Sequence, residues 1–253
     1  MSTTAPRLLR VVRTARVTPA MIRVTLSGEE LDGFPGHGPD RRIKMFFPVE
    51  GQDRPAVPRA STGGPVWPAG EPRPAIRTYT VRRFTPDAGE HGELDVDFVL
   101  HAGHGPAAAW AVAARPGDRV GVSEPGGRWE PDRTAEHQLV MGDESALPAV
   151  ATVLETLAAE LPDVPVRAFL EIADAGEEQE LPGSARVTWV HRGDAPAGQP
   201  LVAAVRAAEL SDGRGQAWLS GESAAVRDLR AHLLTDRKLD RRAVYATGYW
   251  RAR

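Results

Sequence analysis

The chain contains no cysteine. That single absence excludes disulfides, thiolate nucleophiles, CxxC zinc sites and Cys-ligated iron–sulfur clusters. It also has no apolar run long enough to span a bilayer, so no membrane insertion is expected. The opening stretch MSTTAPRLLRVVRTARV lacks the unbroken apolar centre of a signal peptide, which makes a cytoplasmic location the expectation. Strong charge of either sign is missing too. A net charge of -3 argues against a nucleic-acid binder that relies on overall charge. The seven histidines are scattered, and His101 with His104 has neither the spacing nor the glutamate of a zincin, so no metal site is expected. What remains is ordinary globular material. With 42% hydrophobic and 26% charged residues, 253 positions can build one large packed domain or two modest ones.

The texture changes near residues 130–136. Before it, candidate strands fall at 8–17, 21–26, 42–47, 77–83, 93–101 and 119–123, several alternating apolar and polar residues as half-buried strands do. Leu94, Val96, Phe98 and Leu100 share one face, with Asp95 and Asp97 on the other. Residues 51–74 are rich in Pro, Gly and Ala without periodicity and read as a long, mobile surface loop. Six antiparallel strands of this length predict a closed barrel, because closure removes exposed edges. After the change, strands at 138–142, 164–173, 185–191, 216–220 and 243–247 interleave with helices at 146–161, 200–210 and 222–234. That alternation predicts a parallel sheet with helices on its faces, and ligands of such sheets bind outside the strand C-terminal ends. The expected fold is thus a two-domain α/β protein: an N-terminal antiparallel β-barrel over 1–133, then a parallel-sheet nucleotide-binding domain over 134–253.

The most informative stretch is Arg77-Thr78-Tyr79-Thr80-Val81-Arg82. Read as a strand, it sets Arg77, Tyr79 and Val81 on one face. A cation, a flat aromatic and a hydroxyl side by side are what a flavin nucleotide needs, although an ordinary strand with surface arginines has the same composition. Gly103-His104-Gly105-Pro106-Ala107-Ala108 nearly matches GxGxxA and precedes a helical stretch. It reads as a pyrophosphate-binding helix start or as a glycine-rich turn capping that helix. Gly142-Asp143-Glu144-Ser145 lies between strand and helix. Its two carboxylates repel phosphate, leaving ribose hydroxyls, a carboxamide or plain helix capping as its partners. Gly221-Glu222-Ser223-Ala224 faintly resembles a nucleophile elbow, but the one later histidine, His232, sits on the same helix as the serine. Lys44, Arg128 and Arg251 stand out by context. They make an anion pocket if they converge and are three solvated side chains if they do not.

In series these pieces resemble the siderophore-interacting protein family, flavin-dependent ferric-siderophore reductases related to ferredoxin reductases. The matching segments are Ile43-Lys44-Met45-Phe46-Phe47-Pro48, Arg77 to Arg82, Asp97 to His101, Gly105-Pro106-Ala107 with Trp110-Ala111, Gly142 to Ala149, Ser220-Gly221-Glu222 and Gly248-Tyr249-Trp250-Arg251. The resemblance implies a FAD-binding barrel followed by an NAD(P)H-binding domain. It implies that Arg77 holds a flavin phosphate, Tyr79 packs on the isoalloxazine and Thr80 bonds near its reactive edge. His101, Gly105 and Ala107 would serve the ribityl and pyrophosphate portion, and Trp110 the adenine side. Gly142, Asp143, Glu144, Ser145, Gly221 and Glu222 would line the nicotinamide site. Arg192 or Arg227 would meet the 2′-phosphate of NADPH, the donor expected over NADH. Lys44, Arg128 and Arg251 would attract an anionic ferric siderophore. The expected activity is electron transfer from NAD(P)H through FAD to that siderophore, releasing Fe(II), with no catalytic acid–base residue. A reductase of free flavin or quinone and a non-catalytic flavin or ferric-chelate carrier are the alternatives, and a ferredoxin donor stays open.

Overall fold

The computed structural model describes residues 5–36, 38–101, 105–127 and 129–252. The chain forms two compact units, Met1–Arg128 and Trp129–Arg253.

The first unit is an antiparallel sheet of β1 (Arg7–Thr18), β2 (Met21–Ser27), β3 (Arg42–Phe47), β4 (Ala75–Thr80), β5 (Arg83–Thr85), β6 (Glu93–Val99) and β7 (Arg119–Val122). Their spatial order is β4-β3-β7-β1-β2-β6-β5. Period-two patterning decides which side chains enter the core. On β3, Ile43, Met45 and Phe47 are buried while Lys44 between them is exposed. On β6, Leu94, Val96 and Phe98 are all fully buried. The helix α1 (Pro106–Ala113) adds Ala107 and Ala111 to the same core.

The two edge strands, β4 and β5, are consecutive in the chain and joined only by Val81 and Arg82. The sheet must therefore curl until its borders approach, which gives the barrel expected from the strand pattern. The Val81 amide donates to the Arg41 carbonyl (2.8 Å), and the Arg82 amide to the Asp95 carbonyl (3.0 Å). One residue thus finishes pairing beside β3 and the next begins pairing with β6. The sequence predicts a single strand over 77–83; the structure breaks it here because Val81 turns a fully buried side chain into the core.

Residues 51–74 also differ from expectation. Part of this segment packs on the sheet, with Pro55, Ala56 and Pro58 buried, while most of 59–66 stays exposed. Phe46 points outward yet is buried, with the Trp67 ring 6.2 Å away and the Arg73 guanidinium 4.0 Å over Trp67. Gly121 makes the socket: a Cβ there would lie 2.7 Å from Cγ1 of Val57.

The second unit is a five-stranded parallel sheet of β8 (His137–Asp143), β9 (Val166–Ile172), β10 (Arg186–His191), β11 (Gly215–Glu222) and β12 (Val244–Trp250), in the order β10-β9-β8-β11-β12. Its helices are α2 (Leu147–Glu160), α3 (Gln199–Ala207) and α4 (Ser223–Thr235). Every residue of β8 and β11 is buried, as central strands of a covered sheet require. The direction of winding reverses between these two strands, so the switch-point crevice lies at Asp143 and Glu222. Segment 129–133 is tied to this unit: the Gln216 amide donates to the Glu130 carbonyl and its oxygen accepts from the Asp132 amide. Strand β12 runs past the predicted 243–247. Gly248 permits this, since a Cβ there would sit 2.6 Å from the Ser223 hydroxyl. No helix among the described residues is long and apolar enough to cross a membrane.

Candidate functional site

In the first unit, the alternation of β4 puts Tyr79 toward the core. Its ring lies 4.3 Å from Phe98 at 42° and 6.3 Å from Phe47, while Trp110 of α1 sits 5.3 Å from Phe47 and 6.0 Å from Phe98. Four rings from β3, β4, β6 and α1 thus form one aromatic cluster. Burial pushes the Tyr79 phenol up to about 12 against the opposing pull of Arg77, so it stays protonated and able to donate at neutral pH. Arg77, two residues earlier on the same face, is exposed and donates to its own Ile76 carbonyl (2.8 Å). Thr80 is buried. His101 is exposed just past β6.

The start of α1 belongs to the same patch. Gly105 is its N-cap and offers no side chain to the first-turn amides, and Pro106 at the first position has no N–H to satisfy. Ala107 is buried beneath it and Trp110 half-buried. Gly103, His104 and Arg128 lie outside the described residues. An exposed guanidinium, a half-buried aromatic patch and a helix start without a side-chain cap fit a flavin nucleotide: cation and amides for its phosphates, ring surface for its heterocycle. Lys44 is exposed on β3, opposite Thr78 in the ladder.

In the second unit, the switch point is occupied by this chain's own carboxylates. Asp143 is fully enclosed. Its Oδ1 accepts from the Ser145 amide (2.9 Å) and hydroxyl (2.5 Å), and its Oδ2 from the Glu222 amide (2.7 Å) and the Trp250 indole (2.8 Å). Burial nevertheless pushes its carboxyl up to about 6, with Glu144 adding to the effect and the Ser145, Trp250 and Glu222 bonds opposing it. Two glycines admit this arrangement. A Cβ on Gly221, whose φ is 146°, would lie 2.6 Å from the Asp143 carboxylate, and one on Gly142 would lie 2.8 Å from the Ala146 Cβ.

Glu144 takes both arms of Arg192, at 2.9 and 2.8 Å, and Glu171 takes a third bond from the same guanidinium at 3.3 Å. Those bonds, Glu144 first, hold Arg192 charged above its ordinary range. Glu171 is fully buried and accepts from the amides of Gly198 (2.8 Å) and Leu201 (3.0 Å) at the start of α3. Glu222 closes α4 in the same manner, accepting from the Ala224 (2.6 Å) and Ala225 (2.9 Å) amides. Burial opposes its charge, but the amides of Ala225, Ala252 and Ala224 outweigh burial and lower its carboxyl. Arg227 and Arg251 are exposed on α4 and just after β12.

Sequence reasoning passed over Glu171 and Trp250, which organise this end of the sheet. Glu171 carries a legible signal, a charge inside the apolar run Ala168-Phe169-Leu170-Glu171-Ile172. Trp250 stands in the matching segment 248–251, but the resemblance gives it no role there, and its bond to Asp143 depends on β12 running further than its pattern implies.

Two family matches tile the chain. Residues 10–129 match the siderophore-interacting FAD-binding domain, and residues 135–253 match the siderophore-interacting protein family. A ferric vibriobactin reductase of Vibrio cholerae is 32% identical over 251 residues, covering 97% of this chain and 89% of that protein. An NADPH-dependent ferric-chelate reductase of Escherichia coli is 33% identical over 250 residues, covering 98% and 93%. The crystal structure of a siderophore utilization protein from T. fusca superposes with a TM-score of 0.81 at 39% identity, over 97% of this chain and 92% of that one.

Proposed function

Since the chain belongs to the siderophore-interacting protein family, we propose that it is a flavin-dependent reductase passing electrons from NADPH through FAD to a ferric siderophore, so that iron leaves as Fe(II). The observation that carries this reading is the patch on the first unit, where exposed Arg77, half-buried Tyr79 and the α1 start without a side-chain cap adjoin one aromatic cluster. A bound flavin accepts electrons as a pair and releases them singly, which matches a nicotinamide donor to a one-electron metal acceptor. Arg77 and the first amides of α1 neutralise the cofactor's phosphates, and Tyr79 supplies ring surface with a phenol that stays protonated. His101, Gly105, Ala107 and Trp110 line the remainder of that site. Thr80, being buried, holds the strand end that sets Tyr79. Lys44 draws in the anionic iron chelate, with Arg128 as a further cation for it. Weaker grip of hard oxygen ligands on Fe(II) then loosens the product.

In the second unit, Gly142, Asp143, Glu144, Ser145, Gly221 and Glu222 shape the nicotinamide site. The carboxylates do so by holding its frame, and the glycines by letting β8 and β11 approach. The name of the Escherichia coli relative supports NADPH as donor; a ferredoxin donor is the second arm of the test. We assign the reaction to the cytoplasm, the compartment that supplies reduced nicotinamide.

The test is anaerobic. Flavin-loaded protein should lose its visible band on adding NADPH and regain it on adding a ferric siderophore. Recovery with quinone but not with ferric chelates would move the protein to the other-acceptor class. A band that NADPH leaves intact would reduce it to a carrier, unless reduced ferredoxin bleaches it.

A further inference from the structure

Two helices that start at the C-terminal ends of the second sheet, α3 and α4, are already closed by a carboxylate of this chain, while α2 has no side-chain cap. Glu171 occupies the first amides of α3, Glu222 those of α4, and Asp143 the Ser145 amide in the turn leading to α2. A phosphate approaching any of these amides meets a negative oxygen where its own would sit. Arg192 is itself bound to Glu144 and to Glu171, the carboxylate that closes α3. At α3 and α4 the usual helix-terminus mode of phosphate binding is therefore closed, and a phosphate held beside them needs cations.

A groove of about 620 Å³ runs across the first turns of α3 and α4, lined by Arg206 of α3, Arg227 of α4 and Arg251 after β12. Its size is that of a small-molecule site. The two helices touch at its floor, where a Cβ on Gly198 would lie 2.4 Å from the Ala225 Cβ. Its acidic residues are Glu222, already bonded to the α4 amides, and Asp228, 4.0 Å from Nε of the largely exposed Arg227. Three guanidinium groups on an open groove suit a doubly charged phosphate monoester better than a neutral ligand.

Resting on the reading that this unit takes a reduced nicotinamide dinucleotide, we propose that the groove holds the phosphorylated adenosine end of the donor. Arg206, Arg227 and Arg251 bind its phosphates and set the preference for a 2′-phosphorylated donor. Arg251 then serves the donor rather than the siderophore. Arg192 becomes a positioning residue that ties Glu144 to Glu171 instead of a phosphate ligand.

The test is calorimetric titration of flavin-loaded protein with adenosine 2′,5′-bisphosphate and with AMP, alongside steady-state rates with each nicotinamide. The substitutions Arg206→Ala and Arg227→Ala, made together on exposed helix positions, should weaken the bisphosphate about tenfold or more and AMP much less. KM for NADPH should rise by a similar factor, with kcat and the KM for ferric chelate unchanged. Unaltered bisphosphate affinity in a folded variant that still oxidises NADPH would overturn the groove assignment and leave the reductase reading standing. A rise in KM for the ferric chelate alone would hand the groove to the acceptor and overturn it as well. Wild-type protein that oxidises neither nicotinamide and binds no bisphosphate would bring down the reading beneath it.

Discussion

Asp143 has only donors around it. Its four contacts are two amides, a hydroxyl and an indole N–H, so both oxygens are fixed as acceptors. Asp143→Asn keeps the shape but turns an NH₂ group against donors. The expected loss is about 1–3 kcal/mol in chemical denaturation. Gly221→Ala should cost a similar amount, about 1–3 kcal/mol, because its φ of 146° is strained for any side chain and the new methyl meets the same carboxylate. The pH sign follows from burial, which raises the carboxyl although its donors favour the ionised form. The folded chain binds this proton up to about pH 6, whereas the unfolded chain releases it near 3.8. Its contribution to stability is therefore largest below 3.8 and declines as pH rises to about 6. On the first unit, Arg77→Ala should leave the fold intact and weaken flavin binding about tenfold or more, read as flavin retained through gel filtration. Full retention would remove Arg77 from the phosphate site. The residue types at these positions were readable from the chain alone; their partners were not. Nothing local in Gly142-Asp143-Glu144-Ser145 says that a tryptophan 107 positions later will donate to Asp143.

At the scale of elements, Glu171 couples strand to helix. It brings a charge from β9 to the amides that begin α3, and Arg192 balances it. Glu171→Gln places an NH₂ where an amide donor points, so amide exchange at 198–201 should quicken while β8 and β11 keep their protection. Gly121→Val should lift the 51–74 segment off the sheet, since the smallest side chain there would already meet Val57. Faster exchange or proteolysis confined to that segment would report it. Periodicity made most elements legible: the parallel strands and their helices fall within a few residues of expectation. It misled where a contact from elsewhere decides the conformation. The strand over 77–83 breaks because Val81 is needed in the core, and the 51–74 segment is pinned at Val57 and Trp67 because Phe46 and Gly121 make a socket that composition does not reveal.

At the scale of the whole molecule, each unit has its own apolar core. A cofactor held by the folded first unit adds stability by mass action. At free FAD a hundredfold above its dissociation constant the gain is about 2.7 kcal/mol, and the calorimetric transition should rise with added FAD. No shift would speak against a resident flavin. The second unit should respond to acid through His137, whose two ring nitrogens are buried with no hydrogen-bond partner among the described residues. Burial is the main cause that lowers its affinity for a proton, with Arg237 adding to it and Glu136 and Asp212 opposing. The unfolded chain takes up that proton below about pH 6.5 and the folded chain does so only lower. Stability is thus lost as pH falls through that window, opposite in sign to Asp143. His137→Met should flatten the acid limb of a denaturation series.

The corner at Val81-Arg82 has a consequence for how molecules of this protein meet one another. Because two residues splice the outermost ribbons, the two borders are tied together at that corner, where the Val81 and Arg82 amides are already paired. A flexible insert at that splice would unhook the hoop and bare both rims, and self-association visible by light scattering should follow.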